Sequence, residues 1–251
     1  MAFDVAAERY ARFMGRYAEP LAPHFANFAR VSMGQRVLDV GCGPGTLTRH
    51  LVTLTEAHLV AAIDPSPPFI ETVARQLARV DVHTGVAEAL PFADNWFDAS
   101  LAQLVVHFMT DPEAGIKEMV RVTRPGGTVA ACVWDGDTGA VSPFWTCVHE
   151  IDPEAEDEAL LAGSRLGDLE KLFKKVGLRK VEPSGLVVRI THPTFEDWWD
   201  PYTFGVGPAG DYVQSLDDAG RTALEEVARR RFGNGPFTVT ATAWAARGTV
   251  A

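Results

Sequence analysis

From residue 36 to about 134 the apolar positions of the chain change spacing again and again. Short apolar runs at Gln35–Val40, His58–Ile63, Val80–His83, Phe97–Gln103 and Thr128–Trp134 read as strands. Between them apolar residues recur at three and four: Leu47, Leu51 and Leu54 in Thr46–Leu54; Ile70, Val73 and Leu77 after Pro67; Ile116, Met119, Val120 and Thr123 after Pro112. That spacing keeps one helix face apolar. Strands alternating with helices predict a parallel sheet covered by helices. Ser66-Pro67 and Asp111-Pro112 place a capping side chain before a proline at the first helical position. Arg124–Gly127, reading RPGG, stops the last of these helices and is expected to turn the chain back into a strand.

Two short helical patterns precede this region. Beyond Trp134 the pattern loosens into an irregular acidic stretch, then a helix at Gly167–Val176, a strand around Val181–Ile190 and a last strand at Phe237–Ala245. About 40 residues separate those two strands, more than an ordinary connection needs. They hold Trp198, Trp199, Tyr202, Phe204 and a charged helix, and read as a lid. The expected organisation is a helical segment at 1–34, closing over a ligand, and one α/β domain at 35–251 with the lid inserted at about 193–235. No internal repeat or low-complexity tract is present.

A hydrophobic content of 47% with 22% charged residues is that of a folded chain rather than a disordered one. The net charge of −10 would repel a phosphate backbone, and KLFKK is too short for a nucleic-acid-binding run. Nucleic acid is therefore not expected as a partner. Cys42, Cys132 and Cys147 form no CxxC pair, so neither a disulfide framework nor a metal site is expected. No apolar core of signal-peptide length opens the sequence, and no window is apolar for the ~18 residues of a membrane span. These features lead us to expect a cytoplasmic protein without a membrane span; its oligomeric state is left open.

The candidate chemistry begins at VLDVGCGPG, Val37 to Gly45. Gly41, Gly43 and Gly45 follow a buried strand and precede a helix, where the missing Cβ atoms let a ligand approach the backbone. Strand-to-helix turns also use glycine for steric reasons alone, so the loop needs company. Asp64 ends the next strand about 20 residues later, where a carboxylate can accept hydrogen bonds from both hydroxyls of a ribose. It could instead cap the following helix, but Ser66 is better placed for that. Asp39 lies within the first strand, close to where a dinucleotide's pyrophosphate would come, and an anion there is hostile to phosphate. A nucleoside with a cationic tail suits the pair better.

VLDVGCGPGTLTRHL, AAIDPS, GVAEALPFADNWFDAS and QLVVHFMTDPEAGIKEMVRVTRPGG together resemble, over residues 36–134, the class I S-adenosylmethionine-dependent methyltransferases, in particular the group that includes the ubiquinone/menaquinone biosynthesis C-methyltransferases. The resemblance implies a Rossmann-like, doubly wound, seven-stranded sheet, mostly parallel with the last strand antiparallel. It implies S-adenosyl-L-methionine as cofactor, with Asp39, Gly41 and Gly43 at its methionine part, Asp64 at its ribose, and Ala87 and Glu88 beside its adenine. The neighbouring Cys42, Pro65 and Ser66 are counted among the cofactor-binding positions. Val86 departs from the pattern, because many relatives carry there an Asp that accepts from the adenine amino group. Gln103 ends the fourth strand as a further cofactor contact or as a simple strand terminator. In YARFMGRY, Tyr10 would cover the cofactor and Arg16 would pair with its carboxylate, unless this is a plain surface helix with Phe13 and Met14 facing inward.

Methyl transfer from a sulfonium needs positioning, worth about 7–11 kcal/mol, more than it needs a nucleophile. No catalytic side chain and no metal are expected. If the acceptor must lose a proton, His107 is the best placed base; the blander role is packing beside Phe108. Trp134, Phe144 and Trp145 after the fifth strand, with Trp198, Trp199, Tyr202 and Phe204 in the lid, would line a pocket for a small, partly hydrophobic acceptor. The acids of DPEAEDE read as a solvated surface. Two competing functions remain. An NAD-dependent dehydrogenase predicts GxGxxG where this chain has GxGxG, and a non-catalytic S-adenosylmethionine-binding module is suggested only by Val86.

Overall fold

In the computed structural model, which describes residues 7–251, the alternating spacings fold as the elements they predict. Residues 1–6 of the expected N-terminal segment lie outside the described residues. From there the chain forms helices α1 (Ala7–Tyr10) and α2 (Arg16–Phe28), joined by a π-helical turn at Ala11–Gly15. The sheet comprises β1 (Val37–Val40), β2 (Val60–Asp64), β3 (Asp81–Thr84), β4 (Phe97–Gln103), β5 (Thr123–Trp134), β6 (Arg179–His192) and β7 (Phe237–Thr249). Their order is β3-β2-β1-β4-β5-β7-β6. Pairings from β3 to β5 are parallel, and the last strand, β7, runs antiparallel to both neighbours.

Alternate strand residues face opposite layers, as the pleat requires. Leu38, Val40, Ala61 and Ile63 pack with Ile116 and Met119 of helix α5 (Pro112–Val122). Val37 and Ala62 pack on the other side with α2 and helix α3 (Thr46–Leu54). Helix α4 (Pro67–Gln76) follows β2. The order turns outward in both directions from β1 and β4, so a crevice opens beyond their carboxyl ends, where such sheets bind ligands.

Two expectations need correction. RPGG does not separate helix from strand: the helix ends at Val122, Thr123 pairs with Phe97, and Thr128 with Ala99, so residues 124–127 form a bulge within β5. The stretch after Trp134 also contains a helix, α6 (Ser142–Ile151), whose apolar Phe144, Trp145, Cys147 and Val148 face the core. Helix α7 (Asp168–Lys175) follows it.

The insertion between β6 and β7 holds α8 (Phe195–Trp199), a 3-10 turn at Asp200–Phe204, α9 (Gly207–Ser215) and α10 (Asp218–Phe232). It is tied to the N-terminal helices. Arg16 pairs with Asp197 at 2.5 Å, the Tyr17 hydroxyl lies 2.9 Å from His192 Nε2, and His192 Nδ1 lies 2.9 Å from Asp197. Phe13 meets Tyr202 edge to face at 4.9 Å. Among the described residues no helix is long and apolar enough to cross a membrane.

Candidate active site

The loop after β1 is shaped by what surrounds it. Gly41 has φ +67, and a Cβ there would collide with the Val105 side chain, so the turn after β4 can close on the loop only against glycine. At Gly43, φ +54, a Cβ would meet nothing within 4 Å and would project into open space. That space belongs to a cavity of about 610 Å³, within the usual range for small-molecule sites.

Asp64 organises the loop from β2. Its Oδ2 accepts the Gly43 N–H and its Oδ1 the Ser66 N–H, both at 2.9 Å. Ser66 was the expected cap of α4, yet its hydroxyl makes no capping bond and is buried without a partner on the cavity. Each carboxylate oxygen keeps a further lone pair for a ligand hydroxyl.

Every position expected to bind the cofactor lines this cavity except Arg16: Tyr10, Asp39, Gly41, Cys42, Gly43, Asp64, Pro65, Ser66, Ala87, Glu88 and Gln103. Val86 lies at its edge, 45% exposed. Glu88 Oε1 accepts the Asp111 N–H at 3.1 Å, which ties the rim to the start of α5. The segment behind it is clamped by two residues that sequence reasoning missed. Glu118 accepts the Leu90 N–H at 3.0 Å, and Arg121 donates to the carbonyls of Leu90 and Phe92 at 2.9 and 2.8 Å. Their spacing of three on one helix face was the available signal.

The electrostatics favour a cation. Asp39 is 1% exposed, and burial pushes its carboxyl up to about 7; the Thr48 hydroxyl, donating at 2.6 Å, pulls it down, and the Asp64 charge adds to the rise. Burial also raises Asp64, opposed by its two backbone N–H donors. Gln103 donates through Nε2 to the Ala18 carbonyl at 3.2 Å, leaving its Oε1 buried without a partner on the cavity wall. Two carboxylates, a fixed amide oxygen and the open space at Gly43 fit a nucleoside bearing cationic groups, as S-adenosylmethionine does.

The remaining expected residues divide. His107 and Trp134 line a second, smaller cavity, which shares Tyr10, Leu104 and Phe108 with the first. Burial drives the His107 imidazole down to about 3, so it is neutral at physiological pH, and its ring sits 3.9 Å from Phe108. Phe144, Trp145, Trp199 and Phe204 line neither cavity, nor do Trp198 and Tyr202. Trp198 and Tyr202 are fully buried in the insertion, Tyr202 stacked on Phe144 at 4.4 Å. Arg16 is held by Asp197 and does not reach the cofactor cavity. Glu158, read with the solvated acids, instead lines the second cavity.

Residues 38–131 match the methyltransferase domain family. The malonyl-[acyl-carrier protein] O-methyltransferase of Erwinia billingiae is 34% identical over 138 residues, covering 55% of this chain and 53% of that protein. The demethylmenaquinone methyltransferase of Renibacterium salmoninarum is 37% identical over 118 residues, covering 47% of this chain and 48% of that protein. The chain thus spans about half the length of the curated relatives it matches. The YcgJ protein of Bacillus subtilis shares the fold, with a TM-score of 0.61 at 17% identity over 92% of this chain and 97% of that one. The matched segment builds β1 to β5 and most of the larger cavity, so residues 38–131 are similar to the methyltransferase domain.

Proposed function

We propose that this protein is an S-adenosylmethionine-dependent methyltransferase acting on a small, partly hydrophobic acceptor. The observation that carries the reading is the convergence of buried Asp39, Asp64 and the unpaired Gln103 Oε1 on one cavity. In this assignment Asp39, Gly41, Cys42, Gly43 and Gln103 hold the methionine part, and Asp64, with Pro65 and Ser66, holds the ribose. Val86, Ala87 and Glu88 form the adenine rim, and Tyr10 covers the site. With no Asp at 86, adenine is held by shape and backbone, at a cost of about 0.5–1.5 kcal/mol for the missing bond. The bound cofactor supplies an activated methyl group. The protein's own work is to orient it, keep water out behind Tyr10, Leu104 and Phe108, and present the acceptor in line. His107, neutral at physiological pH, serves as a hydrogen-bonding group rather than a charged acid.

The test is titration calorimetry with S-adenosylhomocysteine, S-adenosylmethionine and NAD. It is followed by a screen for S-adenosylhomocysteine release with phenols, amines and carbon acids. We expect the first two ligands to bind, NAD not to, and at least one acceptor class to turn over. Preferential binding of NAD would replace the reading with a dehydrogenase. Tight cofactor binding with silence across every acceptor class would make the protein a binding module.

A further inference from the structure

The second cavity, about 30 Å³, has room for a polar group or a water or two. Its walls come from distant parts of the chain: Phe13 and Met14 of the π-helical turn, Leu104 after β4, Trp134 at the end of β5, Glu158, and Val206 at the start of α9. Most of these lie outside residues 38–131, whereas the larger cavity is built mainly within them. The methyltransferase domain thus supplies the cofactor cavity, and the surrounding segments supply its neighbour. Leu104 lines both and is held at φ +62, unusual for a branched side chain, with its N–H bonded to the Cys132 carbonyl at 2.8 Å.

Three polar groups meet these apolar walls. The Trp134 indole N–H is buried with no partner, and so is His107 Nδ1. Glu158 brings a carboxyl, which burial raises to about 7 while the nearby Trp145 indole pulls it down. Buried polar groups are almost always satisfied in proteins, so two unpaired ring nitrogens beside one cavity suggest that a ligand completes them. An indole N–H only donates, and a carboxylate only accepts. A hydroxyl answers both at one atom; an ammonium, which only donates, would leave the indole unmet.

We propose that the second cavity receives the hydroxyl of the methyl acceptor, held by Trp134, His107 and Glu158, with an apolar body extending past Tyr10 and Phe108 toward the cofactor. The acceptor is then anchored by a neutral, phenol-like hydroxyl rather than an ammonium, and because its body lies between that hydroxyl and the cofactor, the anchoring hydroxyl is not the atom that receives the methyl group. This assignment of an acceptor rests on the methyltransferase reading; the hydroxyl preference of the cavity stands apart from it.

The experiment is titration calorimetry of 4-methylphenol, 4-methylanisole and benzylamine against the protein, alone and saturated with S-adenosylhomocysteine. We expect the phenol to bind about tenfold more tightly than its methyl ether or the amine, the worth of one good hydrogen bond. Trp134→Phe and Glu158→Leu should each abolish that preference. Glu158→Gln, which keeps an accepting oxygen, should retain most of it. Melting curves and S-adenosylhomocysteine affinity, measured on every variant, confirm an intact fold and cofactor site. The proposal is overturned if neither form of the protein distinguishes the phenol from its ether, if benzylamine binds best, or if folded Trp134→Phe and Glu158→Leu proteins keep the preference. Failure of S-adenosylhomocysteine to bind the wild type would count against the methyltransferase reading alone, because the phenol preference is also measured without it.

Discussion

Cofactor binding should depend on pH through Asp39. The carboxyl sits at about 7 in the free protein, chiefly because it is buried, so at pH 7.0 it is half ionised. A cationic ligand needs it ionised, and binding must then expel a proton wherever the group is still protonated. Between pH 7.0 and 5.5 the ionised fraction falls by about an order of magnitude, on the order of 1–2 kcal/mol of apparent affinity. Staying at or below pH 7.0 keeps the ligand's own amino group, with a pKa near 7.7–8.0 for an α-amine, charged. Burial raises Asp64 as well, so Asp39→Asn isolates the Asp39 share. Calorimetry with S-adenosylhomocysteine at pH 5.5, 6.25 and 7.0 gives the profile. We expect wild-type affinity to weaken by about an order of magnitude toward pH 5.5, and Asp39→Asn to bind weakly with a much flatter profile. A flat wild-type profile, or a variant as steep as the wild type, would mean that Asp39 does not hold the ligand's cationic end.

The same carboxyl should cost the empty protein stability. Its folded pKa lies about 3 units above the unfolded value, so its contribution is most favourable below about pH 4 and is lost as pH rises through 7. Asp39→Asn should therefore raise the melting temperature at pH 8, by up to about 4 kcal/mol in stability, with the gain shrinking toward pH 5. Gly43→Leu should cost only about 1–2 kcal/mol in stability, for a left-handed backbone, because nothing blocks its Cβ. The same side chain enters the cavity, so S-adenosylhomocysteine affinity should fall by about two orders of magnitude in calorimetry. Asp197→Ala removes the partner of Arg16 and His192 together, and urea denaturation should show a loss of about 1.5–3 kcal/mol. An unchanged midpoint would mean that the tie between α2 and the insertion contributes nothing.

What could be read from the sequence follows the range of the interactions involved. Helix α3 forms over Thr46–Leu54 and strand β4 over Phe97–Gln103, the bounds their spacing predicts, because local periodicity and one buried face determine both. Asp39 and Asp64 were legible for a related reason: each is fixed by its distance from the glycine loop along regular strands. RPGG was misread because the chemistry of a bulge and that of a turn are the same, and only the pairing with β4 tells them apart. The ten residues of α6 were hidden because their aromatics suit a pocket as well as a core. The fate of Arg16 depends on Asp197, far along the chain in the insertion. Trp198 and Tyr202 likewise depend on what packs against α8, and Glu158 on where an acidic stretch folds back. Sequence pattern carries no information on such long-range placement.

In the proposed assignment the cavity beyond β1 and β4 holds S-adenosylmethionine with its charged end at Asp39 and its ribose at Asp64. A crystal structure with S-adenosylhomocysteine tests it most directly. We expect both ribose hydroxyls within hydrogen-bonding distance of the Asp64 carboxylate and the amino group against Asp39 and Gln103 Oε1. A ligand bound elsewhere, or one in this cavity with no hydroxyl on Asp64, would contradict it.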